Sequence, residues 1–147
     1  MTPQQIDLVR SSFALVQPIA TQAAALFYDK LFERDPSLNA MFHVDMAQQG
    51  QRLMHMLEAA VRLLDRPASL APVLTALGER HAGYGVRDAH YPTVGAALLD
   101  TLAAGLGEAF TPAVREAWAA LYAEVAMAMR AGAARALVRH AGVVVQE

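Results

Sequence analysis

The sequence contains no cysteine among its 147 residues. Disulfide bonds, iron–sulfur clusters and thiolate metal sites are therefore excluded. A metal ion bound by this chain would need histidine, aspartate or glutamate as its protein ligand. The absence leaves the redox compartment open, because no thiol pair reports on it.

Runs of like charge and long apolar runs are also missing. The formal net charge is −2, so nothing indicates a nucleic-acid surface or a polybasic membrane patch. The longest uncharged run, residues 11–28, is interrupted by serine, glutamine, threonine and Pro18, which argues against a membrane span. The first ten residues, MTPQQIDLVR, show no basic stretch followed by an apolar block, and we expect a cytoplasmic protein.

The sequence has almost no alternation of apolar and polar residues, the pattern of a half-buried strand. The exception is GVVVQ near the C-terminus, and we interpret residues 141–147 as a C-terminal tail. An apolar fraction of 55% is enough to build one core. Since no repeat or linker divides the chain, we predict a single all-α domain over residues 1–140.

Proline next to a capping residue marks three predicted helix starts. Thr2-Pro3 begins the first helix, with a glutamine three residues after the threonine to complete a capping box. Asp35-Pro36 begins a short helix that should end near Phe42, and Thr111-Pro112 begins a long last helix. Pro18 ends or bends the first helix, after which a second helical period begins.

Three further helices are predicted from apolar spacing. Leucine, methionine and alanine recur every three or four residues from about Ala47, a pattern typical of an amphipathic helix, which ends at DRPAS. The same periodicity predicts helices from about Ser69 to His81 and from about His90 to Leu106. These helices cover most of the chain, which supports the all-α class.

Five histidines are the main candidate metal ligands in this composition. Four of them, His43, His55, His90 and His140, form neither an H-E-x-x-H motif nor a pair with metal-binding spacing. A zinc site made of protein ligands alone is therefore not predicted. A lone histidine is usually a surface or hydrogen-bonded residue, and His55, on the flank of its helix's apolar stripe, is interpreted in that way.

His81 differs from the others in its surroundings. It continues an apolar stripe along its predicted helix, formed by Leu70, Val73, Leu74 and Leu77. A polar ring on an apolar face needs a buried partner, which an iron centre would provide. Gly83 and Gly85 would let the chain turn sharply and keep bulk away from the ring. Spacing alone leaves two interpretations equally open, a metal ligand and a hydrogen-bonded core histidine.

Several ordered motifs resemble one family. The segments ALFYDKLFERDPSLNAMF, LGERHAGYGV, AHYPTVGAALL and AWAALYAEVA are similar to successive helices of the bacterial globins, in particular the single-domain globins and the haem domains of flavohaemoglobins. The resemblance covers nearly the whole chain. It implies a globin fold of about seven to eight helices around a haem pocket, with haem b as the cofactor.

The resemblance also implies roles for single residues. His81 matches the proximal histidine that binds the haem iron, and Phe42 in AMFHV matches the phenylalanine that packs on the haem plane. Tyr28 in LFYDKLF matches the distal tyrosine, whose phenol donates a hydrogen bond to a diatomic ligand. An ordinary core aromatic or a plain helical tyrosine remains the alternative for these two residues.

The distal glutamine is less clear, because AQQGQRLM offers three glutamines. Counting back from His81 as in family members with this layout, the resemblance implies Gln49, with Leu53 as the apolar distal residue one helical turn later. A register two residues later would place Gln51 in the polar role and His55 opposite the iron. This alternative stays open at the level of sequence.

Two residues on the proximal side complete the implied site. Arg80 resembles the basic residue that pairs with a haem propionate, although a solvated surface arginine is as good an interpretation. Tyr91 matches the tyrosine near the ligating histidine. A departure lies in the last helix, where Ala133 occupies the position of a glutamate that makes the histidine more anionic in flavohaemoglobins. This departure puts a strongly activating proximal side in doubt.

The function implied by the resemblance is binding of O₂, NO and CO at a five-coordinate haem iron held by His81, with nitric oxide dioxygenase activity as the candidate reaction. The sequence has no Gly-rich dinucleotide fingerprint, so electrons would come from a separate reductase or a small reductant. Two alternatives remain: a haem-based gas sensor that acts through a partner, and a haem-free helical interaction module that uses the same fold.

Overall fold

The protein is all-α, as predicted. The computed structural model describes the backbone of residues 1–146 and the side chains of residues 1–138, and this part of the chain contains no β-strand. The α-helices are α1 (Pro3–Val16), α2 (Ala20–Arg34), α3 (Met46–Arg62), α4 (Pro67–Gly83), α5 (His90–Leu106) and α6 (Pro112–Gln146). Short 3-10 helices cover Gln17–Ile19, Pro36–Met41 and Gly107–Ala109.

The structure corrects the predicted number of helices. Residues 1–146 form six α-helices rather than seven to eight. The short helix predicted after Asp35 is a 3-10 segment, Pro36–Met41, whose bonds join Leu38 to Asp35 and Phe42 to Asn39 at three-residue spacing. The segment is six residues long, and the extended backbone of Phe42 ends it. Short segments of this kind commonly form the i→i+3 hydrogen bonds of a 3-10 helix.

Local signals place most helix ends. Thr2 forms the predicted capping box, in which its hydroxyl and the Gln5 side chain each accept a backbone N–H of the other residue. Pro18 lies in the 3-10 turn that separates α1 from α2, and α5 has the predicted bounds. Asp45 caps α3, accepting from the N–H groups of Ala47 and Gln48, so this helix begins one residue earlier than predicted.

The core lies between the helices around Trp118, which is fully buried on α6. Its indole Nε1–H donates to the hydroxyl of Ser12 over 2.8 Å, so the buried polar group has a partner. The ring of Phe13 lies 6.2 Å away, tilted against the indole. These contacts join α1 to α6 in the centre of the molecule.

The apolar stripe predicted on α4 is not buried along its whole length. Leu70 and Leu74 are buried on α4, and Leu77 is half-buried, but Val73 is 44% exposed. The reason is the neighbour that α4 acquires: α4 makes its most extensive contact with α6, and Val73 lies outside the face that this contact covers.

Two findings bear on the ends and the surroundings of the protein. The side chains of the predicted tail, residues 141–147, and that of His140 lie outside the described residues. Among the helices of the described part, none combines the length and the apolar content that a membrane span requires.

Candidate functional site

A polar pair joins α2 to α3, with Tyr28 buried and Gln49 half-buried. The Nε2 of Gln49 donates to the hydroxyl oxygen of Tyr28 over 3.2 Å. The orientation of the amide follows from its other end, because Oε1 accepts from the guanidinium of Arg52 over 3.4 Å. Since the phenol oxygen accepts this bond, its own proton remains free to donate to a third group.

Burial controls the ionisation of the Tyr28 phenol. Tyr28 is 7% exposed, and its burial raises the pKa of the phenol above the ordinary value, against smaller opposing effects of Gln49 and Arg52. The phenol therefore stays protonated at neutral pH, which keeps it a hydrogen-bond donor.

Aromatic rings pack around Tyr28. Phe42, which follows the 3-10 helix, lies edge-on to Tyr28 with 5.4 Å between ring centroids. Phe27 lies edge-on to Tyr28 at 5.0 Å, and Phe32 packs against Phe42 at 5.4 Å. Rings arranged in this way exclude water and lower the local dielectric, which strengthens hydrogen bonds made by Tyr28.

Leu53 lies one turn beyond Gln49 on α3 and is half-buried. It lines a small cavity of about 20 Å³ together with apolar side chains of five helices, among them Phe27, Leu57, Leu98 and Trp118. The one hydroxyl in the lining, that of Thr101, already donates to the carbonyl of Ala97. The cavity is therefore apolar, and it adjoins the face of α3 that carries Gln49.

His81 lies near the end of α4, and the hydrogen bond to its ring decides which nitrogen can bind a metal. Its Nδ1 lies 2.8 Å from the carbonyl oxygen of Leu77. A carbonyl oxygen only accepts, so Nδ1 carries the hydrogen and donates. The neutral ring then has its lone pair on Nε2, which is the arrangement of a histidine ready to bind a metal through that nitrogen.

The surroundings of His81 also favour the neutral ring. Partial burial lowers the pKa of His81 below its ordinary value, the hydrogen bond to Leu77 opposes this, and the nearby charge of Arg80 adds to it. The imidazole is therefore uncharged at neutral pH, as metal binding requires. Of the two glycines after His81, Gly85 has φ +91°, which allows the predicted sharp turn, whereas Gly83 is the last residue of α4.

Tyr91 on α5 is 5% exposed, and within the described residues its hydroxyl is the buried side-chain polar group that has no hydrogen-bond partner. Its carbonyl oxygen accepts from the hydroxyl of Tyr122 over 2.6 Å. The guanidinium of Arg130 lies over its ring at 5.1 Å and donates to the carbonyl of Asp88. Burial raises the pKa of the Tyr91 phenol.

The structure brings some of the predicted residues together and leaves others apart. Tyr28, Gln49 and Phe42 are in direct contact. Gln51 and His55, the alternatives to Gln49, are exposed on α3, and so is Arg80 on α4. Met41, next to Phe42 in the sequence, reaches towards the turn that follows His81. The Cε atom of Met41 lies 3.9 Å from the position that a Cβ atom on Gly85 would take.

The contacts of Tyr122 and Arg130 with Tyr91 were not predicted. Both residues lie on the predicted last helix. Tyr122 belongs to its apolar period, and Arg130, near its end, suits the negative pole of the helix dipole. Neither signal points to Tyr91, because the partners are 31 and about 40 residues apart along the chain and nothing local encodes the contact. Ala133 is buried on α6, and its methyl group supplies no carboxylate to this side.

The donor set fits a haem group. The lone pair on Nε2 of His81 suits an iron ligand, and the Tyr28–Gln49 pair supplies hydrogen-bond donors inside an apolar wall. In the residues with described side chains, no cluster of three or more histidine, aspartate or glutamate residues could hold a bare metal ion. Within these residues, His81 is therefore suited to be the single protein ligand of an iron that a haem ring holds.

Comparison with known proteins gives a consistent result. The family model Globin matches residues 25–129. Over 125 residues the chain is 34% identical to the flavohemoprotein of Chromobacterium violaceum, covering 83% of this chain and 31% of the relative. It is 30% identical over 124 residues to the flavohemoprotein of Bacillus subtilis, covering 82% and 31%. The chain thus spans about a third of the length of these relatives.

A solved structure shares nearly the full length of the chain. It is an engineered carbene transferase, RmaNOD, a proposed nitric oxide dioxygenase from Rhodothermus marinus, with a TM-score of 0.83 and 27% identity. The alignment covers 98% of this chain and 99% of that one. Together with the matching family model and the arrangement of the six helices, this shows that the chain belongs to the globin family.

Proposed function

We propose that the protein binds haem b through His81 and holds a diatomic molecule, O₂, NO or CO, beside Tyr28 and Gln49. The observation that carries the proposal is the hydrogen bond from Nδ1 of His81 to the carbonyl of Leu77, because it leaves Nε2 free to bind the iron. Haem, when bound, supplies an iron atom with one open position for a diatomic ligand.

The Tyr28–Gln49 pair is proposed to hold that ligand. Hydrogen-bond donors fixed in a low-dielectric site would stabilise negative charge on a bound diatomic molecule. The Tyr28 proton is free because Gln49 donates to the phenol oxygen, and the amide polarises the phenol so that it donates more strongly. Gln49 therefore supports Tyr28 as well as facing the same space.

The other predicted residues are proposed to hold the ring of the cofactor. Phe42 would pack on one haem face, Leu53 would form the apolar wall beside the diatomic ligand, and Tyr91 would lie beneath His81. Arg80, exposed on α4, is placed to pair with a propionate in water, where such a pair contributes about 0–1 kcal/mol. Residues 1–140 would form the globin domain.

Nitric oxide dioxygenation is the proposed reaction. NO and O₂ combine with one electron to give nitrate, so each turnover needs an electron donor. The similarity to flavohemoproteins and to RmaNOD supports this proposal. The sequence has no Gly-rich dinucleotide fingerprint. The proposed electron donor is therefore a separate reductase or a small reductant.

Absorption spectra of the purified protein test haem binding. We expect a Soret band that shifts on reduction with dithionite and again under CO or O₂, and that is lost or altered in His81→Ala. His43→Ala, which changes an exposed histidine, is the matched control and should leave the spectra unchanged. Absence of bound haem even after addition of hemin would contradict the proposal and favour a haem-free interaction module.

Turnover separates the dioxygenase from an O₂ carrier and from a gas sensor. With O₂, NO and a flavin-dependent reductase supplied, the dioxygenase consumes NO repeatedly and releases an equal amount of nitrate. Consumption of a single equivalent of NO would leave O₂ binding as the function, because re-reduction would then be too slow for catalysis.

A further inference from the structure

Two glycines meet where α4 crosses α6. A Cβ atom built on Gly78 of α4 would overlap the backbone carbonyl of Met129 and lie 2.6 Å from its Cα. A Cβ atom on Gly132 of α6 would overlap the backbone carbonyl of Thr75 and lie 3.1 Å from its Cα. Each glycine therefore faces the main chain of the other helix, with no side chain between them.

The two contacts form one crossing, because the residues are paired reciprocally. Thr75 and Gly78 lie three residues apart on α4, and Met129 and Gly132 lie three residues apart on α6, so each pair occupies one helix face. Helices normally pack about 8–10 Å apart, with the distance set by the side chains at the contact. Glycine on both helices lets the two backbones approach as closely as they can.

This crossing determines where α4 lies. Among the helices of the described chain, α4 makes extensive contact only with α6. The position of α6 is determined independently, by its packing on α1 and by Tyr122, which packs on Gly95 and donates to the carbonyl of Tyr91. If atoms were added at the crossing, α4 would therefore be the helix that moves.

A displacement of α4 is transmitted to the ring of His81. His81 follows Gly78 by three residues, and its Nδ1 donates to the carbonyl of Leu77, the residue just before the glycine. The ring is thus held to the backbone of the crossing itself. Rotation about the side-chain bonds of His81 would break this hydrogen bond, so the ring moves with the helix.

We propose that Gly78 and Gly132 are positioning residues that set how deeply α4 packs against α6 and thereby where Nε2 of His81 meets the haem iron. The inference rests on the proposed function, since it takes His81 as the iron ligand. The carbonyl of Leu77 is the outer-shell hydrogen-bond partner of His81, and loss of such a partner weakens metal binding by about 10–100-fold.

Gly78→Ala and Gly132→Ala test the proposal in the haem-loaded protein. The matched control is Gly83→Ala, on α4 close to His81, where an added Cβ meets nothing within 4 Å. The primary readout is the iron–histidine stretching band in the resonance Raman spectrum of the ferrous protein. The second readout is the rate at which haem transfers to an excess of a haem-scavenging apoprotein.

We expect the band to shift or broaden in both crossing variants and haem loss to accelerate by about ten- to a hundredfold, while Gly83→Ala matches the wild type. Folded crossing variants with the wild-type band would overturn the inference, because mere destabilisation lowers the amount of folded protein without moving the band. A wild type without this band, or a band that persists in His81→Ala, would instead refute the proposed function.

A second variant covers the case in which neither crossing variant folds even with hemin present. Met129→Ala removes a buried side chain at the crossing and adds no atom. We expect the iron–histidine band to broaden, because α4 is then held less tightly against α6. An unchanged band in this variant would overturn the inference.

Discussion

The hydroxyl of Tyr28 is the main hydrogen-bond donor in the proposed ligand pocket. In Tyr28→Phe the ring stays among Phe27 and Phe42, but the donated hydrogen bond is lost. A hydrogen bond to a charged group contributes ~1.5–3 kcal/mol, so we expect O₂ to dissociate about ten- to a hundredfold faster in stopped-flow measurements. Tyr84→Phe, which changes a tyrosine that is 70% exposed, is the control, and an unchanged rate in Tyr28→Phe would exclude Tyr28 from the pocket.

The hydrogen bond between Ser12 and Trp118 allows a second test at the scale of one residue. Ser12→Ala leaves the buried indole N–H without an acceptor, which costs about 1–3 kcal/mol of stability. Ser11→Ala is a matched control: Ser12 donates to the carbonyl of Leu8 and Ser11 to that of Asp7, each four residues earlier, but Ser11 is exposed. Urea unfolding should show a clear loss for Ser12→Ala alone, and equal midpoints for the two variants would contradict this account.

At the scale of helices, α5 carries two glycines with opposite expectations. A Cβ on Gly95 would lie 2.6 Å from Cε2 of Tyr122, and the ring cannot retreat freely because its hydroxyl is bonded to the carbonyl of Tyr91. Gly95→Ala should therefore destabilise the protein by about 1–3 kcal/mol.

Gly105→Ala is the matched variant on the same helix. Its nearest neighbour would be Cδ1 of Ile19 at 3.6 Å, an ordinary contact, so the higher helix propensity of alanine should stabilise the protein by up to about 1 kcal/mol. Thermal unfolding of the two variants tests both signs. A loss of stability in Gly105→Ala, or none in Gly95→Ala, would refute the packing that the structure shows at α5.

The helices also show where local sequence is informative. The start of α1 was predicted because a capping residue and a proline act within a few residues of themselves, and the bounds of α5 were predicted from its apolar period. Asp45 was missed as a cap, since AMFHVD has no proline to mark it. Val73 belongs to the predicted apolar stripe of α4 but is exposed, because a periodic stripe does not show which part of a helix its neighbour covers.

On the scale of the whole molecule, Arg10 connects α1 to the end of α3. Its guanidinium donates to the carbonyls of Val61 and Arg62 and to the carboxylate of Asp65, the last over 2.9 Å. A cation at the C-terminal end of a helix is favourable. The hydrogen bond from Arg10 lowers the pKa of Asp65 below its ordinary value, so the ion pair links stability to pH.

The sign of this pH dependence follows from the lowered pKa. The pair stabilises the folded protein fully above the pKa of Asp65 in the unfolded chain, and this contribution is lost as the pH falls through the lower, folded value. Asp65→Asn should therefore reduce the urea midpoint at pH 7, and the difference from wild type should shrink towards about pH 3. The effect should also weaken at high salt, because both side chains are partly exposed.

Asp29→Asn, at an exposed position on α2, is the control for this measurement. A difference between wild type and Asp65→Asn that stays constant with pH would show that the carboxylate charge is not what matters at this position.

The candidate site was partly predictable. His81, Tyr28 and Phe42 were singled out from ordered motifs, and their roles stay proposals. The sequence left Gln49, Gln51 and His55 open, because all three lie on one helix within two turns. The choice of neighbour for Tyr28 depends on how α2 packs on α3, and only Gln49 reaches the phenol.

The sequence by itself determined the all-α class and most helix ends, because caps, prolines and apolar periods act between residues close along the chain, whereas His81 was named as the candidate iron ligand through the resemblance to globins. Only the tertiary structure decided which nitrogen of His81 is free, which glutamine meets Tyr28 and how Gly78 and Gly132 bring α4 against α6. These features depend on atoms from different helices meeting within a few ångströms. Such meetings are set by the packing of the whole core, which no local pattern encodes.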